Sequence, residues 1–146
     1  MLKTVATGTI IKKINLAVFS LFYFSAGCNH FLRPANYLAM IPPYFPYKEL
    51  VNYSSGILEI ACSVLMLFRS RAKMAMRLTI FLLIAFIPAH IYLIQRRGCI
   101  SDNFCFPAWV AWVRLFPFQF LLVWWAYKTS QLQNDRFPKK SHIGMK

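Results

Sequence analysis

Residues 51–68 read VNYSSGILEIACSVLMLF. The run has about the length a helix needs to cross the hydrocarbon core, roughly 17–25 residues, and the one residue in it that is ordinarily charged at neutral pH, Glu59, lies in the middle. An ionisable side chain inside a membrane-length segment is costly. Such groups face the interior between helices, pair with one another and mark a site. Working outward from this segment, three more runs are long enough to span: Ile14–Leu32, Ala75–Gln95 and Ala108–Tyr127. Pro88 and Pro117 interrupt the last two, which membrane helices tolerate when neighbouring groups satisfy the freed carbonyl. The expected architecture is all-α, an integral membrane four-helix bundle forming one domain over residues 1–146, with 128–146 as a basic tail.

Composition agrees with that reading. Hydrophobic residues make up 58% of the chain and charged residues 14%, against roughly a quarter charged in a soluble domain. The net charge of +13 points to nucleic acid only until its distribution is examined. Lys3, Lys12 and Lys13 precede the first span. Arg69, Arg71, Lys73 and Arg77 fill the second connection, and Lys128, Arg136, Lys139, Lys140 and Lys146 follow the fourth span. Arg33, Lys48, Arg96 and Arg97 fall on the other side. By the positive-inside rule both termini are cytoplasmic, and the lipid bilayer is the expected partner. No base-stacking or groove-reading motif is present, so nucleic acid is not expected.

Residues Lys12–Cys28 also have the shape of a lipoprotein signal, with two lysines, an apolar stretch and Ser25-Ala26-Gly27-Cys28. Ser25 stands where a large aliphatic residue would be wanted, and apolar character resumes at Phe31-Leu32. Cleavage would leave an odd number of spans. The first helix is expected to be retained.

Threading the spans with both termini inside collects the polar residues in one half. His30 is a turn from the outer end of the first helix. At 1.5 Å per residue, His90 lies about 7 Å inside the end of the third, Glu59 about 12 Å below Val51, and Arg114 about 9 Å below Ala108. Gln119 is deeper, about 16 Å from that start. These five form a candidate polar pocket. His30 and His90 are separated by the same interval as Glu59 and Gln119, which suggests a two-helix repeat of the kind seen in transporters. Two readings of the cluster stand side by side. Glu59 and Arg114 can form an ion pair that only fixes helix packing, or the group can build a ligand, proton or redox site.

Cys99 and Cys105 share the short outer loop 96–107. On an oxidising face a disulfide is the default, with a free redox-active pair and metal binding as the alternatives. No metal site is expected, because ligand-bearing neighbours are too few. Cys28 and Cys62 lie inside helices and read as small apolar residues. The connection 33–50 holds Pro34, Pro42, Pro43 and Pro46 among tyrosines. Its prolines imply turns and extended backbone, and its aromatics suit the headgroup level, as an interfacial anchor or as a cap over the outer mouth. Trp109, Trp112, Trp124 and Trp125 fit the two aromatic belts.

The stretch Ala26-Gly27-Cys28-Asn29-His30-Phe31, then Pro34, Tyr37 and Ile41-Pro42-Pro43-Tyr44, resembles the start of DoxX-like membrane proteins. Ser55-Gly56-Ile57-Leu58-Glu59, Pro88-Ala89-His90-Ile91-Tyr92 and Arg114-Leu115 through Gln119 continue the resemblance in family order over about residues 14 to 128. Two departures stand out. Asn is common in that family where this chain has His90, and Phe116 intervenes before Pro117 in a motif usually tighter. The extra residue is expected to shift Gln119 around its helix.

The resemblance implies a four-helix protein of the bacterial inner membrane. The family takes its name from a subunit of a thiosulfate:quinone oxidoreductase. The expected function is an accessory or ligand-binding membrane component, within a larger membrane complex. The alternatives are a subunit of a quinone-linked oxidoreductase acting on thiol or sulfur substrates, with quinone as cofactor and Cys99 and Cys105 as redox pair, and a transporter of a small solute or protons. A Cys-x-x-Cys couple at a helix end, which thiol oxidases need, is absent.

Overall fold

The computed structural model describes residues 2–68, 70–101 and 104–134. Helix α1 spans Leu2–Leu32, α2 Pro34–Met40, α3 Lys48–Leu67, α4 Ala72–Ala85 and α5 Ile87–Gln95. A two-stranded hairpin follows, β1 Cys99–Ser101 and β2 Phe104–Cys105. Then come α6 Ala108–Val113, a wide-turned segment Arg114–Gln119, and α7 Phe120–Asn134. Among the described residues, four stretches are long and apolar enough to cross a membrane: Ile10–Leu32, Lys48–Leu67, Ala72–Gln95 and Ala108–Gln131.

Several boundaries differ from the sequence reading. α1 starts at Leu2, so Lys12 and Lys13 ride on the helix instead of preceding it. α7 carries Lys128 within the helix and runs to Asn134. The remainder of the expected basic tail, 135–146, lies outside the described residues. The connection 33–50 is not all turn and extended chain: Pro34–Met40 is a helix with Pro34 in its first turn. The missing N–H of proline costs nothing there, since that donor has no intrahelical partner.

Proline also sets the two breaks. Pro88 opens α5, and Phe86, with φ −81 and ψ −8, separates it from α4. Pro117 lies in the second break, where Phe116 leaves helical backbone altogether at φ −137 and ψ 118. A proline inside a helix removes one backbone donor and clashes with the preceding turn. In both spans the chain yields at that point and then resumes.

α1 packs along α3, α4 along α7, and α3 along α4. The α1–α3 contact is close because Gly27 and Gly56 face each other across it. A Cβ on Gly56 would lie 2.7 Å from His30 Cβ and 3.1 Å from the Gly27 carbonyl oxygen. One cluster of buried residues, including Phe19, Tyr23, Met66, Met76, Leu83 and Ala126, fills the half nearer the connection 68–71. A second, Met40, Leu93, Ile100 and Ala111, seats α2 and the hairpin against α5 and α6. Outward-facing side chains are largely apolar, among them Leu21, Ile57, Phe81, Trp112 and Leu121. A water-soluble monomer rarely shows so much contiguous apolar surface; hydrocarbon is the solvent that suits it.

The hairpin places Cys99 opposite Cys105, and the two are joined by a disulfide. Gly98 makes the entry to β1, with φ +85, and a Cβ there would lie 2.5 Å from the Phe106 carbonyl oxygen. No side chain larger than hydrogen fits there.

Candidate functional site

Between the two clusters lies a cavity of about 570 Å³. His30, Glu59, His90, Arg114 and Gln119 all line it. The polar residues of four different spans therefore converge on one space. Its other walls are mostly apolar, including Phe22, Phe86, Phe118 and Leu122, and its lid is Met40, Ile41, Pro42 and Phe45 from the connection 33–50. That connection therefore caps the space as well as presenting aromatics outward. Size and lining are those of a site for one small molecule, largely apolar with a few convergent polar groups.

Within it, the polar side chains are held in pairs. Asn52 grips His30 twice: its Nδ2 donates to the His30 carbonyl oxygen at 3.1 Å, and its Oδ1 lies 2.9 Å from His30 Nδ1. The first bond fixes which end of the amide is oxygen. Nδ1 must therefore carry the proton it donates to Oδ1. His30 Nε2 then faces Glu59 Oε2 at 3.5 Å. Glu59 Oε2 is buried with no other polar partner. Two bare lone pairs would repel across that gap, so a proton belongs between them, carried by the imidazole or by the carboxyl. Either way the pair is neutral in sum. The Tyr37 ring covers His30, with centroids 3.9 Å apart. Burial, and then the nearby Glu59, hold the Tyr37 phenol above its ordinary pKa, so it stays a protonated hydrogen-bond donor.

The second pair is built on the other two spans. Gln119 Nε2 donates to the carbonyl oxygen of Leu83, one turn before the α4–α5 break, where proline leaves carbonyls short of donors. With its nitrogen committed, the Gln119 side chain has its oxygen left to accept, and His90 lines the same cavity. His90 Nδ1 is buried with no polar partner. His30 thus meets Glu59, whereas the equal intervals in the sequence had linked His30 with His90 and Glu59 with Gln119.

Two expectations are corrected. Glu59 is partnered by His30, not by Arg114. α3 packs on α1 and α4, whereas Arg114 begins the segment that packs on α5, α6 and α7. Similar depth did not make them neighbours. Nor does Phe116 turn Gln119 away from the site. The extra residue is taken up by the non-helical backbone at Phe116 itself, and Gln119 remains buried and inward. Arg114 stands on the cavity wall with no ion-pair or hydrogen-bond partner among the described residues, near enough for its charge to act on Tyr37 and His90.

Asn52 and Tyr37 were missed from sequence. Asn52 did leave a signal: Asn52, Gly56, Glu59 and Ser63 recur at the spacing of one helical face, a small and polar stripe in an otherwise apolar segment. Among the described residues no three His, Cys, Asp or Glu side chains converge as a metal site. The disulfide lies away from these pairs, on a hairpin that packs against α2.

The fold and cavity define a helical membrane protein with a largely apolar internal space on which a few polar groups converge. The chain belongs to the family described as a domain of unknown function, DUF8561, whose model matches residues 19–130 and so takes in every residue of the cavity's polar lining. No curated protein and no solved structure matches it.

Proposed function

We propose that this protein is a non-catalytic, ligand-binding component of a bacterial inner membrane, a four-helix bundle with both termini cytoplasmic and its cavity in the outer half. The observation that carries the reading is the convergence of five polar residues from four spans on one otherwise apolar space. Polar groups inside a membrane cost too much to be kept at random, and here some are already satisfied by each other while Arg114 and His90 Nδ1 are left over. The DoxX-like resemblance supports the location, and a larger membrane complex is the setting it suggests.

Purification in mild detergent followed by organic extraction and mass spectrometry tests the reading. A small amphiphile should be recovered in near-stoichiometric amount, and Ala89→Leu, which adds bulk to the wall, should reduce its yield several-fold. An extract holding only bulk lipid, unchanged by Ala89→Leu, would end the proposal. A quinone in the extract would favour the oxidoreductase subunit instead. For that second reading the favouring observation is the Cys99–Cys105 disulfide on the hairpin beside the cap.

Orientation has its own test. The basic side chains cluster at the ends of α1 and α7 and around the connection 68–71. Reporter fusions after Arg71 and Asn134 should be active only in the cytoplasm, and one after Gly98 only outside. An external Asn134 fusion would invert the assignment and put the cavity in the inner half.

A further inference from the structure

The charges around the cavity do not balance, and the imbalance specifies a ligand. His30 and Glu59 share one proton and cancel. Tyr37 is neutral. Arg114 remains, a permanent cation half-buried on an apolar wall with no ion-pair partner among the described residues. A desolvated charge is tolerated when it is paired, so the natural complement is an anionic or strongly accepting oxygen. Beside it, His90 Nδ1 is a second buried group without a partner. With its proton on Nε2, the neutral ring presents a lone pair at Nδ1 and takes a donor there.

One common head group offers both. A carboxylic acid has a carbonyl oxygen for the guanidinium and an O–H for Nδ1, and on ionising it still suits Arg114, which binds carboxylates well. An ester can accept from the arginine but has no donor for the histidine, and an alcohol must serve both groups with one uncharged oxygen. The remaining wall is apolar and aromatic, as a hydrocarbon tail requires, and the volume suits one small molecule. Resting on the ligand-binding reading above, we infer that the cavity holds a single-chain amphiphile with a carboxylic acid head, seated between Arg114 and His90, with the tail along Phe22, Phe118 and Leu122. A diacyl lipid carries a second chain that a space of this size does not house.

The test uses the full chain in nanodiscs of zwitterionic lipid, with palmitic acid, hexadecanol and methyl palmitate competing against a fluorescent fatty acid. Palmitic acid should bind at least tenfold more tightly than either analogue. Arg114→Gln should remove most of that preference while retaining measurable hexadecanol binding, which also shows the variant to be folded. Arg114→Lys should restore part of it, and His90→Phe should weaken palmitic acid and hexadecanol but not the ester. Equal affinity of the three ligands for the wild type would overturn the carboxylic-head assignment while the pocket reading stood. Absence of any binding that Ala89→Leu can abolish would sink the pocket reading itself. Displacement of palmitic acid by discs of phosphatidylglycerol would move the anion to a bilayer lipid and overturn the single-chain assignment. Should Arg114→Gln fail to fold, the wild-type series alone decides.

Discussion

Glu59→Leu and His30→Leu are each expected to destabilise the protein by about 3–5 kcal/mol, the usual loss when one member of a buried pair is removed. The double variant should recover a large part of that loss. The cause is burial: Glu59 is 4% and His30 7% exposed, and neither finds water when its partner goes. Leucine at 59 leaves Nε2 of His30 facing hydrocarbon. Leucine at 30 strands both the carboxyl and the Asn52 oxygen that His30 Nδ1 had bonded. Glu59→Gln should cost less than Glu59→Leu, because an amide N–H still donates to Nε2. Unfolding in detergent, followed as a double-mutant cycle, gives the coupling directly. The matching cycle between Glu59 and Arg114 should close near additivity, since they do not touch. Coupling in the second cycle and additivity in the first would reverse the assignment of partners.

That contrast shows where the sequence stopped speaking. Hydropathy along a chain measures depth in a membrane, and depth was enough to place His30, Glu59, His90, Arg114 and Gln119 around one space. It does not measure the direction in which a helix face points. Glu59 and Arg114 lie at similar depth, yet α3 is turned toward α1 by the contact at Gly27 and Gly56, and so Glu59 meets His30. Tyr37 was hidden for another reason. Its helix begins at a proline that, read alone, argued for turn and extended chain, and the packing of Met40 against Leu93 and Ile100 draws it inward. Gln119 was legible as polar and deep, but the backbone change at Phe116 that keeps it aimed inward is a local conformation no periodicity encodes.

Gly56→Leu should be among the most damaging single changes, at or above the ~3 kcal/mol end of overpacking losses. The two glycines occupy each other's side-chain space. A Cβ on Gly56 would meet His30 Cβ at 2.7 Å and Phe31 Cε2 at 2.8 Å, and one on Gly27 would meet the Gly56 carbonyl oxygen at 3.0 Å. Small residues at such a crossing let two backbones approach and pack without polar cost inside a membrane. Alanine at 56 sets two effects in opposition: a gain of up to about 1 kcal/mol in helix propensity, and a contact with His30 Cβ, an atom fixed to backbone that cannot swing away. The contact should win, leaving Gly56→Ala destabilised and Gly56→Leu more so. Ile57→Leu, one residue on and facing outward, should change little. Because the same crossing brings Asn52 and Glu59 to His30, prising α1 from α3 should also abolish ligand binding. A Gly56→Leu protein with wild-type thermal stability would mean that this crossing does not hold the two helices together.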